Sequence, residues 1–314
     1  MRRNAVIIIL LLALLIPAGC AKENTPKGDG LKIVTTIFPV YDWARCVCEG
    51  TDADISYLTD NGADLHSYQL TFGDLAEIAD CDLFVYIGGA SDSWTEAETI
   101  EKSDCRKLKI TGLSGITLYN EELKEGMEPE EDGEEGAVKD EHIWFSTDNA
   151  RAAVNGLAEV LSQLDAENAG LYEENARSFC EKAAIIDGNY RDTVSAAACK
   201  TLLFGDRFPF IYLTKSYGLD YYAPFPGCSA DSEASFETIA FLQEKAEELK
   251  SEYIIITKGA SDKTARTIMS GNEKYKIIEL DSMQQVTLEE AKSETYLSIM
   301  ESNLEKLRTI LGTD

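Results

Sequence analysis

The chain reads as an α/β protein of two lobes, each a mostly parallel sheet flanked by helices, joined by a long rigid helix. Three observations predict this. Short apolar or β-branched runs alternate with helical stretches from Leu31 onward, the pattern of an open α/β sheet. The same alternation resumes at Lys200. Between the two, Ala166 to Ala196 lacks proline and is interrupted by glycine only at Gly170 and Gly188, so one long helix fits there.

In chain order, Leu31-Lys32-Ile33-Val34-Thr35-Thr36 reads as a first strand and Val40 to about Gly50 as a helix. Asp54 to Leu58 is a second strand, ending in the polar loop that leads to His66. Thr71 to Ala79 suits a helix, and the apolar run Asp82 to Ile87, closed by Gly88-Gly89, a buried parallel strand. Lys107–Ile110 and Ile116–Tyr119 read as further short strands. From Glu121 to Glu141, eleven residues are acidic and only Lys124 and Lys139 basic, so that stretch is expected to be a mobile surface loop. Helical patterning then runs from Asp148, with a break near Asp165, to about Ala198.

In the second half, Lys200–Phe204 is a strand, Phe208–Tyr217 a helix, and Tyr221-Tyr222 an extended segment. Phe236–Leu249 is helical and Tyr253–Thr257 a strand. Asp262–Met269 is a helix, Lys276–Leu280 a strand, and Leu288–Leu311 the terminal helix. The expected division is a signal at 1–19, a tether at 20–30, a first lobe at 31–165, a connecting helix at 166–198 and a second lobe at 199–314. Tyr212, Tyr217, Tyr221 and Tyr222 are expected to pack the second lobe.

Arg2 and Arg3 precede an apolar run from Ala5 to Pro17, followed by Ala18-Gly19-Cys20, the pattern of an export signal. The run is short for a membrane span, which takes about 20 apolar residues. Cys after Ala-Gly resembles the bacterial lipobox, with Pro17 where Leu is usual, and implies acylation of Cys20 and a membrane-anchored, extracytoplasmic protein. The polar stretch Ala21 to Gly30 suits a flexible tether. A formal charge of −27 argues against a nucleic-acid partner, which needs clustered Lys and Arg, and is compatible with attracting cations. Of eight cysteines, seven remain if Cys20 is acylated; buried thiols with one or two disulfides are expected, and no CxxC pair occurs.

Only two histidines are present, His66 and His142. Each lies in a predicted loop with carboxylates beside it: Asp64 for the first, Asp140 and Glu141 for the second. Neutral imidazole is the commonest metal ligand, and nearby carboxylates can orient it. The alternative is two ordinary surface histidines.

Gly62-Ala63-Asp64-Leu65-His66-Ser67-Tyr68 resembles the G-x-D-P-H-x-Y motif of zinc/manganese-type (cluster A-I) substrate-binding lipoproteins of ABC transporters, with Leu65 in place of Pro. Asp140-Glu141-His142-Ile143-Trp144 resembles that family's D-P-H-x-W segment, with Glu141 in place of Pro. Ile33 to Pro39 is similar to its first strand and turn, and Ile277 to Met283 to the strand end that supplies an Asp ligand. The resemblance covers the mature chain almost end to end. It implies two α/β lobes, a rigid connecting helix, and a metal in the cleft held by His66, His142 and Asp281.

A further family ligand, His or Glu, falls at Arg207, which has no lone pair to offer. Asp206 is the first substitute, with Cys228 and Glu233 as alternates, or water completing the site; Arg207 could equally lock the lobes together. The acidic loop stands where zinc-binding relatives often carry a His-rich loop; weak cation collection and a merely solvated loop are both open.

The implied function is an extracytoplasmic receptor, not an enzyme, that captures a divalent metal and delivers it to an ABC permease and its ATPase. The metal expected is Zn2+, with Mn2+ or Fe2+ as competitors, and the receptor is expected to act as a monomer. Because ligation needs neutral histidines, affinity is expected to fall below about pH 6. A metal-dependent hydrolase is a second class, disfavoured because neither HExxH nor a positioned base is found. A surface adhesin or metal-storage lipoprotein is a third.

Overall fold

The computed structural model describes residues 30–128, 138–227 and 233–313. In the first lobe, β1 (Lys32–Thr35) is followed by α1 (Phe38–Val47), β2 (Asp54–Tyr57), α2 (Phe72–Asp80), β3 (Leu83–Tyr86), α3 (Glu98–Glu101) and β4 (Arg106–Lys109). The four strands form one parallel sheet in the order β2-β1-β3-β4, with Val34 opposite both Ser56 and Phe84. The two central strands, β1 and β3, are almost wholly buried, as the β-branched and aromatic runs require of a sheet covered on both faces. Pro39 at the start of α1 costs no hydrogen bond there. Thr71 and Asp74 form a capping box that starts α2.

Two antiparallel helices follow, α4 (Thr147–Leu164) and α5 (Ala169–Ala196). At 28 residues, α5 is about 42 Å long at 1.5 Å per residue. Its buried stripe of Tyr172, Ala176, Phe179, Ala183, Ile186, Tyr190 and Val194 recurs every three or four positions. Each large apolar member buried in this way contributes roughly 1.5–3 kcal/mol. The stripe packs on α1 and α4 and on elements of the second half, so α5 belongs to both lobes.

The second half contains β5 (Thr201–Leu203), β6 (Arg207–Phe208), α6 (Ile211–Tyr217), β7 (Asp220–Tyr222), β8 (Phe225–Pro226), α7 (Phe236–Leu249), β9 (Tyr253–Thr257), α8 (Lys263–Met269), β10 (Lys276–Leu280) and α9 (Tyr296–Leu311). β5 pairs with β7 and β9 with β10, all parallel. A single parallel bridge, Phe204 to Ile255, joins the pairs into the order β7-β5-β9-β10. No helix among the described residues is long and apolar enough to cross a membrane.

Several local expectations need correction. Ile116–Tyr119 is not a strand, because the N–H groups of Thr117 and Tyr119 donate to the Asn149 side chain and the Tyr212 hydroxyl instead of to a ladder. The helix expected from Phe208 begins at Ile211: Arg207–Phe208 pairs with β8, and Pro209 disfavours helix at the residue before it. The terminal helix begins at Tyr296, where Thr295 caps it, and Glu290–Lys292 forms a separate 3-10 turn.

The acidic stretch is not a free loop at its described ends. Asn120 bridges Lys139, Met127 is buried, and Glu128 N–H donates to Pro224 O at 2.8 Å. Lys124 pairs with Asp220, and Lys215 with Glu122 at 2.5 Å. Residues Glu121 to Glu128 are therefore a strap seated on the second lobe.

Cys46, Cys48, Cys81, Cys105, Cys180 and Cys199 are all free thiols, so no disulfide forms among the described residues. Burial pushes Cys48 and Cys81 up to about 12. Cys20, the signal and most of the tether lie outside the described residues, as does Cys228.

Candidate metal centre

The two histidine loops share one local device. In the first, Asp64 accepts the main-chain N–H of His66 at 3.0 Å and caps the 3-10 turn Leu65–Ser67, with Leu65 buried beneath it. In the second, Asp140 accepts the main-chain N–H of His142 at 2.8 Å, ahead of the buried turn Ile143–Phe145. An Asp two residues before each His fixes the backbone from which the imidazole projects.

The rings are then fixed a second time, at Nδ1. His142 Nδ1 lies 3.0 Å from Asp140 Oδ1. His66 Nδ1 lies 2.8 Å from Ser91 Oγ and 3.1 Å from Glu141 Oε1, while Ser91 donates to Glu141 through both Oγ and its main-chain N–H. Glu141 thus serves the first histidine, not the second as its place in the sequence suggests. Gly89 makes room for it: a Cβ there would fall 2.2 Å from Glu141 Oε2.

Carboxylates accept the Nδ1 protons, which leaves Nε2 as the bare nitrogen on each ring. These two nitrogens face each other at 3.2 Å. Gln284 completes a triangle, its Nε2 lying 2.8 Å from His66 Nε2 and 3.1 Å from His142 Nε2. Gln284 is 1% exposed, and its Oε1 makes no hydrogen bond within the described residues. A half-turn of the terminal amide would present that oxygen to the imidazoles. Tetrahedral zinc with ligands at about 2.0–2.1 Å separates them by roughly 3.3 Å, close to these edges.

The electrostatics suit a cation. Burial alone would lower the His142 imidazole, but the Asp140 carboxylate beside it, with Glu141 behind, more than reverses this and raises it, against the opposing charge of Arg207. Burial likewise pushes Glu141 upward, yet the two imidazoles and Ser91 hold it below the usual carboxylate range. The site therefore places two carboxylates immediately behind its nitrogen donors.

The structure brings His66 and His142 together but treats the other expected ligands differently. Asp281 stands at the end of β10 with Oδ2 3.1 Å from Lys258 Nζ and Oδ1 accepting Met283 N–H at 2.8 Å. Asp206 accepts the Thr257 N–H at 2.8 Å and so joins β9 to the turn before β6. Glu233 is exposed and pairs with Lys263. Arg207 pairs with Asp64 across the lobes. Among the described residues no group of three or more His, Cys, Asp or Glu could hold a metal, and it is the Gln284 amide that stands third beside the imidazoles.

Gln284 is the residue that sequence reasoning missed, along with Ser91. An amide is an uncommon ligand, and nothing in its spacing marks it. Its position depends on long-range contacts: Trp144 Nε1 donates to Ser282 O at 3.0 Å, and Tyr57 OH to Val286 O at 3.0 Å. Between them Met283 adopts a φ of +62°, a left-handed conformation that costs a non-glycine residue about 1–3 kcal/mol and that the surrounding contacts must hold.

Two α/β lobes, a long shared helix and a buried imidazole pair define a bilobal binding protein with a candidate metal centre. A family model described as zinc-uptake complex component A, periplasmic, matches residues 33–310, and the chain belongs to that family. It is 31% identical over 313 residues to the zinc-binding lipoprotein AdcA of Streptococcus pneumoniae, spanning 98% of this chain but 61% of that protein's length. It is 28% identical over 318 residues to the high-affinity zinc uptake system protein ZnuA of Bacillus subtilis, with 97% of each covered. Among solved structures, the Zn(II)-bound ZnuA-like domain of Streptococcus pneumoniae AdcA matches with a TM-score of 0.72 at 30% identity, covering 90% of this chain and 99% of that one.

Proposed function

We propose that the protein is the extracytoplasmic, lipid-anchored receptor of an ABC importer, which captures zinc and hands it to a permease driven by an ATPase. The observation that carries this is the facing pair of imidazole Nε2 atoms, 3.2 Å apart, with both Nδ1 atoms held by carboxylates. Two lone pairs held that close repel each other unless a cation or a hydrogen-bond donor sits between them; in the structure the Gln284 amide nitrogen takes that place.

His66 and His142 are the ligands in this reading, and Gln284 Oε1 joins them once its amide turns. Asp281 acts through Met283, holding the loop that presents Gln284, while Asp206 serves the second-lobe fold and not the ion. Two imidazoles and one oxygen suit zinc better than manganese, which favours oxygen-rich sites. The lobes correspond to 31–165 and 199–314, joined by 166–198. Binding without catalysis is the expected activity of the monomer, and Cys20 is its acylated residue.

Metal analysis of protein purified without added metal, followed by zinc titration against a chromophoric competitor, tests the reading. Zinc is expected at one equivalent and is expected to outcompete manganese and iron. Preferential manganese loading, or no high-affinity binding of any divalent ion, would overturn it.

A further inference from the structure

Arg207 has no lone pair to offer a metal, and its guanidinium is engaged elsewhere. Arg207, at the start of β6 in the second lobe, pairs with Asp64 in the first, and both side chains are largely buried. Asp64 is not an arbitrary partner. Its Oδ1 holds the main-chain N–H of His66, and its Oδ2, the atom that meets Arg207, also lies 3.4 Å from Gln285 Nε2. One carboxylate thus gathers the turn that carries His66, the residue next to Gln284, and the second lobe.

We propose that Arg207 is a positioning residue: through Asp64 it ties the second lobe to the His66 turn and so holds the imidazole in its binding pose. The inference rests on His66 being a ligand, but the tie itself can be tested without reference to zinc. Residues that orient ligands from behind typically change metal affinity about 10- to 100-fold when removed.

Charge and position make opposite forecasts for one substitution. In Arg207→Ala a cation near the site is lost and Asp64 is left unneutralised, so by Coulomb attraction alone zinc would bind more tightly. If the tie positions His66, zinc binds more weakly in spite of that gain. A second variant, Asp64→Asn, removes the charge while its amide oxygen can still accept the His66 N–H.

The experiment measures zinc affinity by competition titration at low and high salt for the full-length protein, Arg207→Ala, Asp64→Asn and the double variant, with circular dichroism confirming the fold of each. The expected result is a loss of about 10- to 100-fold in Arg207→Ala, no further loss in the double variant, and a salt dependence present in the parent and reduced in all three. Tighter binding in Arg207→Ala, unchanged binding, or additive losses in the double variant would overturn the proposal. Hydrogen exchange over residues 62–68 of the metal-free protein reads the tie separately: exchange should quicken in Arg207→Ala even if zinc proves not to be the cargo. Unchanged exchange there would also overturn it.

Discussion

The two lobes approach the same point with different means. The first lobe offers two imidazoles, each fixed at its backbone by an Asp two residues earlier and at its ring by a carboxylate. The second offers an amide on a strained loop and a guanidinium that has no lone pair. The first lobe fixes each histidine's backbone by local sequence but brings Ser91 and Glu141 from far along the chain to the His66 ring, and the second places its groups by distant contacts such as Trp144 to Ser282. In the proposed reading, ligation is concentrated in one lobe and adjustment in the other.

Removing both imidazoles should give the largest effect. His66→Ala with His142→Ala is expected to abolish detectable competition for zinc, a loss on the order of 1000-fold or more, since the remaining amide is one neutral oxygen donor. Retention of parental affinity would place the centre elsewhere.

Next come the carboxylates behind the rings. Glu141→Gln and Asp140→Asn should each weaken binding about 10- to 100-fold, read by the same titration. An effect much smaller than the ligand substitutions but well above that of Glu233→Gln, an exposed residue, is the expected order.

The second lobe's amide should behave in the opposite sense. Gln284→Glu places a charged acceptor against both Nε2 atoms and is expected to tighten zinc binding by about tenfold, because charge-assisted contacts are roughly twice as strong as neutral ones. Weaker binding in that variant would mean that the amide faces the imidazoles only as a donor.

The smallest effect is the position of the pH profile. His142 is raised above the usual imidazole value by Asp140 and Glu141 despite its burial. In the metal-free protein this contributes stability that is fully present below about pH 6.5 and is lost as pH rises through the raised folded value. Zinc must displace that proton, so its affinity moves the other way, increasing with pH over the same window. The fall on acidification should therefore begin above the pH 6 that an ordinary imidazole suggests, and Asp140→Asn should shift the midpoint downward.

What could be read from the sequence divides by the span of the contact and not by lobe. The Asp-x-His pairs at 64–66 and 140–142, the strand runs Leu83–Tyr86 and Tyr253–Thr257, and the α5 stripe are local patterns, and local patterns were legible. Glu141 reaching back to His66, Gln284 standing third at the centre, and Arg207 finding Asp64 are all contacts between distant segments. No spacing rule encodes them. Ile116–Tyr119 failed as a strand for the same reason, since Asn149 and Tyr212 take the hydrogen bonds that a neighbouring strand would have received.

Gly89 carries an implication for how such a centre can change over time. Its missing methyl group and the Glu141 carboxylate claim the same few cubic ångströms. A Cβ at 89 would meet the Glu141 carboxylate at 2.2 Å and the Glu141 Cβ at 2.3 Å, so even alanine at 141 would leave 89 confined to glycine. Glycine at 89 is therefore a condition of Glu141 reaching His66, although residue 89 would pass for an ordinary turn residue in an inventory of ligands.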